Sequence, residues 1–396
     1  MEWPCVALGE VCSFENGDRG KNYPSRAKFV QAGIPFVNAG HLDNGQVQME
    51  DMNYISRDNY DLLSRGKFSA GDILFCLRGS LGKHALVKKL DEGAIASSLV
   101  IIRTSEKLDA GYFQLYLQSA LCAEMIKKYE GGAAQPNLGA KDLAKFSIPL
   151  PELEEQKRIV TLLDKAFAEI EQARALAEKN LNNTRELFES YLQQVFSPRG
   201  EGWIESTIGD LGKVSMCKRI LKKQTASSGD IPFYKIGTFG KEPNSYIDKN
   251  IYREFKKKYS FPKKGDVLIS ASGTIGRRVI YDGKPAYFQD SNIVWIANNE
   301  ELALNKYLYH FYGFCDWNPS KGATISRLYN DDLRKIKIAF PSTRTQKIIV
   351  ENIENLETQV RYLKEKYEQK LIRLSELKKS ILQKAFTGQL TSKEVA

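Results

Sequence analysis

Two glycine-rich stretches carry the side chains best suited to hold an anion. The first is Arg78-Gly79-Ser80-Leu81-Gly82-Lys83. The second is Ser272-Gly273-Thr274-Ile275-Gly276, followed by Arg277 and Arg278. Glycine lets a backbone approach a phosphate closely, hydroxyls and backbone N–H groups suit its oxygens, and the adjacent bases neutralise its charge. The same composition fits a tight strand-to-strand turn with solvated charges. Two further loops, Gly132–Leu138 (GAAQPNL) and Gly322–Leu328 (GATISRL), hold Gln135, Asn137 and Arg327, which can hydrogen-bond base edges, and Lys321 precedes the second. A helix-capping loop is the other reading of both. Lys256, Lys257, Lys258, Lys263 and Lys264 form a basic run near a turn, where solvated lysines are as good an account as phosphate contacts.

Catalytic chemistry is sought and not found. Gly79–Lys83 lacks the spacing of a P-loop, and Gly273–Gly276 lacks the third glycine of a dinucleotide fingerprint. Asn318-Pro319-Ser320 starts like an adenine-methyltransferase motif but has no second proline and no aromatic to stack a flipped base. Three histidines (His41, His84, His310) assemble no triad, and six scattered cysteines contain no CxxC pair, so scattered buried thiols in a reducing cytoplasm are expected. No cofactor and no metal is called for. The sequence reads as a binder, not an enzyme.

Charge narrows what is bound. The chain of 396 residues has 58 Lys and Arg against 48 Asp and Glu, a net +10. The balance is 17 to 17 over residues 1–150, 7 to 10 over 151–202, 23 to 14 over 203–340 and 11 to 7 over 341–396. Most of the surplus lies in one segment, and nucleic acid is the commonest partner for such a surplus. No run of 18 apolar residues suggests a membrane span, and MEWPCVALGE does not read as a signal peptide.

The candidate residues sit inside a duplicated chain. Pro151–Val160 (PELEEQKRIV) returns as Pro341–Val350 (PSTRTQKIIV), and Leu192–Ser197 (LQQVFS) as Leu382–Thr387 (LQKAFT), both 190 residues on. Gly71–Lys83 (GDILFCLRGSLGK) returns as Gly265–Arg277 (GDVLISASGTIGR), and Ser97–Ile101 as Ser291–Trp295. Trp3–Val11 matches Trp203–Leu211, and Ile34-Pro35-Phe36 matches Ile231-Pro232-Phe233. The shared pieces are apolar runs bounded by Gly and Asp, expected to be strands and turns. One short helix is expected in each globule, over Tyr112–Met125 and Asn305–Phe314.

Between the globules lie two long helical patterns. Val160, Leu163, Phe167 and Ile170 recur at 3 and 4, and Ala177, Leu181, Thr184, Phe188, Tyr191 and Val195 resume after a slip. The second pattern runs through Ile353, Leu356, Val360, Leu363, Tyr367, Lys370, Leu374, Leu377 and Ile381. This spacing predicts a coiled-coil seam about 65 Å long. Pro151 is expected at the first helical position, and Thr343 with Gln346 matches a capping box. Pro198, Gly200 and Gly388 mark the ends.

The expected architecture is α+β. Two tandem globules, 1–150 and 203–340, are separated by two long antiparallel coiled-coil helices, 151–198 and 341–390, in a pseudo-two-fold internal repeat. This arrangement resembles the specificity subunits of Type I restriction-modification systems. The likeness rests on the twin PxxxxQKxIV starts at Pro151 and Pro341 and on the Leu382–Leu390 ending (LQKAFTGQL). It rests also on the Gly-Asp-(Ile/Val)-Leu and Gly-x-(Leu/Ile)-Gly pattern of each globule, and on the Trp…Gly start of each unit.

The resemblance implies two target-recognition domains, each reading half of a split double-stranded DNA target, with the helices setting their spacing. It implies a cytoplasmic, non-catalytic chain that docks methylation (M) subunits, which use S-adenosylmethionine, and restriction (R) subunits, which use ATP. The neutral charge of residues 1–150 departs from an equal share in phosphate binding. Two other readings stand beside this one: a specificity subunit of an orphan adenine methyltransferase without restriction, and a coiled-coil scaffold whose globules bind proteins.

Overall fold

The computed structural model describes residues 3–131, 136–197, 201–317 and 327–390. The chain divides into two compact units, Met1–Glu178 with Gln369–Ala396, and Lys179–Glu368. Each of the two long helices, Leu153–Phe196 and Thr343–Phe386, is 44 residues long. Each helix starts in one unit and ends in the other.

The first unit is built on a four-stranded antiparallel sheet. Its order is His84–Leu86, Ile73–Cys76, Leu99–Thr104, Cys12–Asn16. Ile73, Phe75, Val100 and Ile102 face a core that includes Ile159, Leu163, Leu382 and Phe386 from the long helices. Leu74, Cys76, Leu99 and Ile101 face the opposite way, into a second cluster with Val37, Phe68 and Ile95 of a five-stranded sheet. Burial on both faces explains why ILFC and LVII are apolar runs with no alternation.

The second unit repeats the scheme. Gly212–Ser215, Ile293–Asn298, Val267–Ser270 and Arg278–Ile280 form the equivalent sheet. Val267, Ile269, Val294 and Ile296 face the helices, and Leu268, Ile293 and Trp295 face the other sheet. Each globule is closed by pairing its start with its end, Cys5–Ala7 with Ser147–Pro149 and Ile204–Thr207 with Lys337–Phe340.

The short helices differ from expectation. The segment expected to be one helix in the first unit holds two, Ala110–Leu117 and Ala120–Tyr129, because the Ser119 hydroxyl accepts from Cys122 N (3.3 Å) and caps a new helix. In the second unit the helix is Asn305–Tyr312. A further helix, Lys249–Lys258, contains most of the lysine run and is capped by Asp248. Its apolar residues, Ile251, Tyr252 and Phe255, are packed on the second sheet's core, while its last turn places three lysines at the negative end of the dipole.

The proline-glutamine motif is a clamp, not a helix cap. Gln156 is fully buried. Its amide donates to the carbonyls of Lys107 (2.9 Å) and Pro151 (2.8 Å), and its Oε1 accepts from Asp109 N (2.8 Å). Gln346 makes the same three bonds, to Leu302 O (2.7 Å) and Pro341 O (2.8 Å) and from Leu304 N (2.8 Å). The cap of the second helix is Ser342, whose hydroxyl accepts from Thr345 N (3.3 Å), not Thr343 with Gln346. Pro151 lies before the first helical turn rather than in it, and its contribution is a carbonyl.

Along the first helix Leu163, Ile170, Ala177 and Thr184 are buried at intervals of seven. Leu356, Val360, Tyr367 and Leu374 are half-buried, while Leu363, Lys370 and Leu377, also seven apart, are exposed at the rim of the stripe. In the first unit Lys378 Nζ meets Glu171 Oε1 (2.9 Å) and lies 5.0 Å from the Phe167 ring. The second helix ends at Gly388 (φ 73°), with Gln389 N donating to Lys384 O (3.1 Å). Pro198 and Gly200 lie outside the described residues.

Gln156→Ala and Gln346→Ala each remove three hydrogen bonds to backbone groups, one of them buried and two part-buried. Each is expected to cost about 3 kcal/mol, read as a lowered urea midpoint. Gln193→Ala, on an exposed helix face, is expected to change it by less than about 0.5 kcal/mol.

Candidate nucleic-acid interface

The two glycine-rich turns have one hydrogen-bonded skeleton. In the first, Cys76 N donates to Lys83 O (2.7 Å) and Gly82 N to Cys76 O (3.1 Å). In the second, Ser270 N donates to Arg277 O (2.8 Å) and Gly276 N to Ser270 O (3.1 Å). Gly79, Gly82, Gly273 and Gly276 all have φ between 66° and 85°, where a side chain is strained. A Cβ on Gly276 would fall 2.2 Å from the Trp317 indole nitrogen. The glycines are therefore needed by the turn itself.

The residue after each strand links the turn to the loop beyond it. Leu77 N donates to Ser98 O (2.9 Å) and Leu77 O accepts from Leu138 N (2.9 Å). Ala271 repeats this with Asn292 O (2.8 Å) and Leu328 N (2.9 Å). Arg78 and Asn137 thus form a β-bridge, as do Ser272 and Arg327. The structure brings Arg78 to Asn137 and Ser272 to Arg327, residues that the sequence singles out in separate loops. Arg78 Nε donates to Asn137 Oδ1 (3.2 Å), and Ser272 Oγ to Asn292 Oδ1 (2.8 Å).

The other predicted residues separate by role. Ser80, Lys83 and Thr274 are exposed on the turns. Arg277 donates to Phe239 O (3.0 Å). Arg278 stacks on Tyr309 at 4.6 Å with its Nε buried, which marks it as a packing residue. Beside the first turn, burial pulls the His84 imidazole below its usual range, and its Nδ1 faces Gly82 O at 3.0 Å. Gln135 and Lys321 lie outside the described residues. Lys256 extends along the Tyr252 hydroxyl and the Phe261 ring and lines neither cleft described below.

A cleft opens beside each turn. In the first unit a space of about 500 Å³ is lined by Arg19, Arg65, Arg78 and Lys141, by Asn16 and Asn137, and by one carboxylate, Asp142. In the second, about 320 Å³ is lined by Arg219, Lys222, Lys235 and Arg327, by Gln289 and Asn292, and by one carboxylate, Asp290. The clefts share two matched positions, Arg19 with Arg219 and Asn137 with Arg327, while the rest of their linings come from different segments. Glu15 pairs with Ile101 and Ser215 with Trp295, so Arg19 and Arg219 each stand four residues beyond matched positions. Four cations against one carboxylate, beside amide side chains, suit a polyanion whose bases also present hydrogen-bonding edges.

Sequence reading missed Arg19, Arg65 and Lys141, and likewise Arg219, Lys222 and Lys235, because they come from separate segments. Asp18 brings the first two together. Its carboxylate accepts from Gly20 N (2.6 Å), Ser64 N (3.0 Å) and Ser64 Oγ (3.0 Å), tying the Arg19 turn to the chain that leads into Arg65. The Gly17 and Gly66 backbones touch here, since a Cβ on Gly66 would lie 2.9 Å from Gly17 Cα. In the second unit Tyr287 OH donates to Lys218 O (3.0 Å) and fixes the approach to Arg219.

The backbone N–H groups of Gly20 and Ser64 hold the Asp18 carboxyl below its ordinary value of 3.8. A carboxylate depressed on folding contributes stability that is complete above its ordinary value and fades as pH falls through the folded one. Asp18→Asn is therefore expected to lower stability by about 1–2 kcal/mol at pH 7. The gap between wild type and variant should shrink below about pH 4. Urea midpoints taken from pH 7 to pH 3 check this.

The family model for the Type I restriction modification DNA specificity domain matches residues 1–178 and again 200–371. A chain from Haemophilus influenzae bearing the name of a type I restriction enzyme specificity subunit is 45% identical over 262 residues, covering 65% of this chain and 67% of that one. The StySPI specificity subunit of Salmonella potsdam is 21% identical over 98% of this chain and 89% of its own. Among solved structures, one from work on the assembly and conformational transition of the type I R-M system has a TM-score of 0.76 at 23% identity, covering 98% of both chains. The HsdS subunit of Thermoanaerobacter tengcongensis has a TM-score of 0.67 at 22% identity, covering 98% of this chain and 97% of that one. Those two likenesses concern the fold; the repeated match to the domain model concerns the family. With that match covering both globules and most of each long helix, the chain belongs to the Type I restriction-modification DNA specificity family.

Proposed function

We propose that this chain supplies the sequence specificity of a Type I restriction-modification enzyme by reading an asymmetric, two-part duplex target. Residues 1–150 and 203–340 are the two target-recognition domains, and 151–198 and 341–390 the spacer helices. The observation that carries this is a cleft in each unit, lined by four cations and one carboxylate, in a chain of this family. The cleft of the first unit supports a share in phosphate binding despite that unit's neutral charge. Of the unit's acidic side chains, Glu15 and Asp72 are engaged with Arg103 and Asp142 lines the cleft, where Arg19, Arg65 and Arg78 converge.

The two clefts differ in every cationic position except Arg19 and Arg219, which supports two unlike half-sites. A dimer of identical readers would instead require a palindrome. DNA is contacted by Arg78, Ser80, Lys83, Asn137, Ser272, Thr274, Arg277 and Arg327, joined by Arg19, Arg65, Lys141, Arg219, Lys222 and Lys235. Arg278 supports the turn from behind. The chain itself turns nothing over. Methylation and restriction subunits dock on it and act on DNA in the cytoplasm. No helix among the described residues is long and apolar enough to cross a membrane.

The test is duplex binding by the full chain co-expressed with its methylation subunits, measured across salt concentrations. Affinity is expected to fall steeply with salt. Arg65→Ala or Lys222→Ala should lower the slope by about one unit each without altering the preferred sequence. Binding to no duplex at any salt would favour a protein-binding scaffold. ATP-dependent cleavage by the reconstituted complex separates a restriction enzyme from a methyltransferase alone.

A further inference from the structure

We infer that Arg78 in the first unit and Arg219 in the second each read a guanine, held for that purpose by Asn137 and Asp290. This rests on the proposal that the clefts hold duplex DNA, and goes beyond it by assigning a base and a reader to each half-site.

The two arginines share an arrangement that the other cleft arginines lack. Arg78 engages its Nε with Asn137 Oδ1 (3.2 Å), and Arg219 its Nε with Asp290 Oδ2 (2.8 Å). Neither has a terminal nitrogen bonded to protein among the described residues. Each guanidinium is fixed by one edge while its two terminal nitrogens remain free beside a cleft. Arg19 and Arg327 instead turn a terminal nitrogen to the carbonyls of Ser97 (3.2 Å) and Ser291 (3.5 Å), which occupy matched positions.

The holding groups are themselves held. The Asn137 backbone exchanges two bonds with Gly131 (2.9 and 3.0 Å). The Asp290 side chain is 14% exposed, whereas Arg219 is 68% exposed. Arg174 makes a similar Nε contact with Glu178 one helical turn away, but lines neither cleft.

A phosphate needs charge and tolerates many approaches. A base edge needs two donors at fixed spacing, and a buttressed arginine offers its terminal pair to the O6 and N7 acceptors of guanine. Adenine places a donor where guanine has O6, so it fits that pair poorly. The readers also sit at unmatched positions, since Ser272 replaces Arg78 and Arg327 replaces Asn137 in the second unit. The two guanines therefore stand at different places within their half-sites.

The experiment selects bound duplexes from a randomised pool, using the full chain with its methylation subunits as wild type, Arg78→Lys, Arg219→Lys and Asn137→Ala. Lysine keeps the charge and loses the fork, and both arginines are exposed, so folding is retained and is checked by thermal melting. Arg78→Lys is expected to relax one guanine in one half-site by about 10- to 100-fold, with the other half-site unchanged. Arg219→Lys should do the same in the other half. Asn137→Ala should relax the same base pair as Arg78→Lys, as a positioning residue would. Unchanged preferences, or half-sites without guanine, would overturn the inference while leaving the clefts as DNA sites. Failure of the wild type to select any sequence would overturn the functional reading beneath it.

Discussion

Each unit depends on one buried side-chain amide. Gln156 and Gln346 join the start of a long helix to the loop that opens a short helix, through three hydrogen bonds apiece. The short helix carries the aromatics on which the opposite ends of the long helices rest. Tyr112 and Tyr116 meet Phe386 in the first unit, and Tyr307 and Phe311 meet Phe196 in the second. A buried amide with all its bonds made fixes direction as well as position, whereas apolar packing alone tolerates sliding. The clamp thus sets where the helix face stands behind the four-stranded sheet, and the strand ends of that sheet lead into the turn and the cleft.

The clefts illustrate how a duplicated framework hosts two different surfaces. Backbone bonds at Leu77 and Ala271 recur nearly unchanged, and so do the strands on either side. Only side chains differ where Arg78 stands opposite Ser272 in the repeat, and Asn137 opposite Arg327. Because the turn is held by its glycines and its own hydrogen bonds, the cleft-facing side chains can vary without disturbing the fold. That separation of scaffold from surface is what a reader of two unlike sequences needs.

Much of this was legible in the sequence. The 190-residue repeat located both helices, and the apolar runs located the central strands, because burial on both faces leaves a strong local signal. Three local features differ between sequence and structure, each for its own reason. Thr343 and Gln346 have the spacing of a capping box, yet Gln346 turns inward, since its partners Leu302 and Leu304 are far away in sequence. Tyr112–Met125 looked continuous because Ser119 interrupts no apolar periodicity. Lys256, Lys257 and Lys258 stand out in the sequence as charge, which hides the apolar face at Ile251, Tyr252 and Phe255. The cleft was the least visible part. Arg19 and Arg65 are 46 residues apart and meet through Asp18 and two touching glycines, a proximity that no local pattern encodes. Among the residues singled out in advance, Arg78, Asn137 and Arg327 line the clefts, and Arg278 has a packing role instead.

The central claim is that the two clefts hold two separate parts of one duplex. The direct measurement places a photoreactive side chain at Lys141 in one cleft and at Lys222 in the other, in the assembled complex bound to its preferred duplex, and maps the cross-linked nucleotides. Two short blocks are expected, one per position, separated by base pairs that neither probe reaches and that the selected sequence leaves unspecified. Cross-links from both positions to the same block, or from either to the unspecified interval alone, would contradict it.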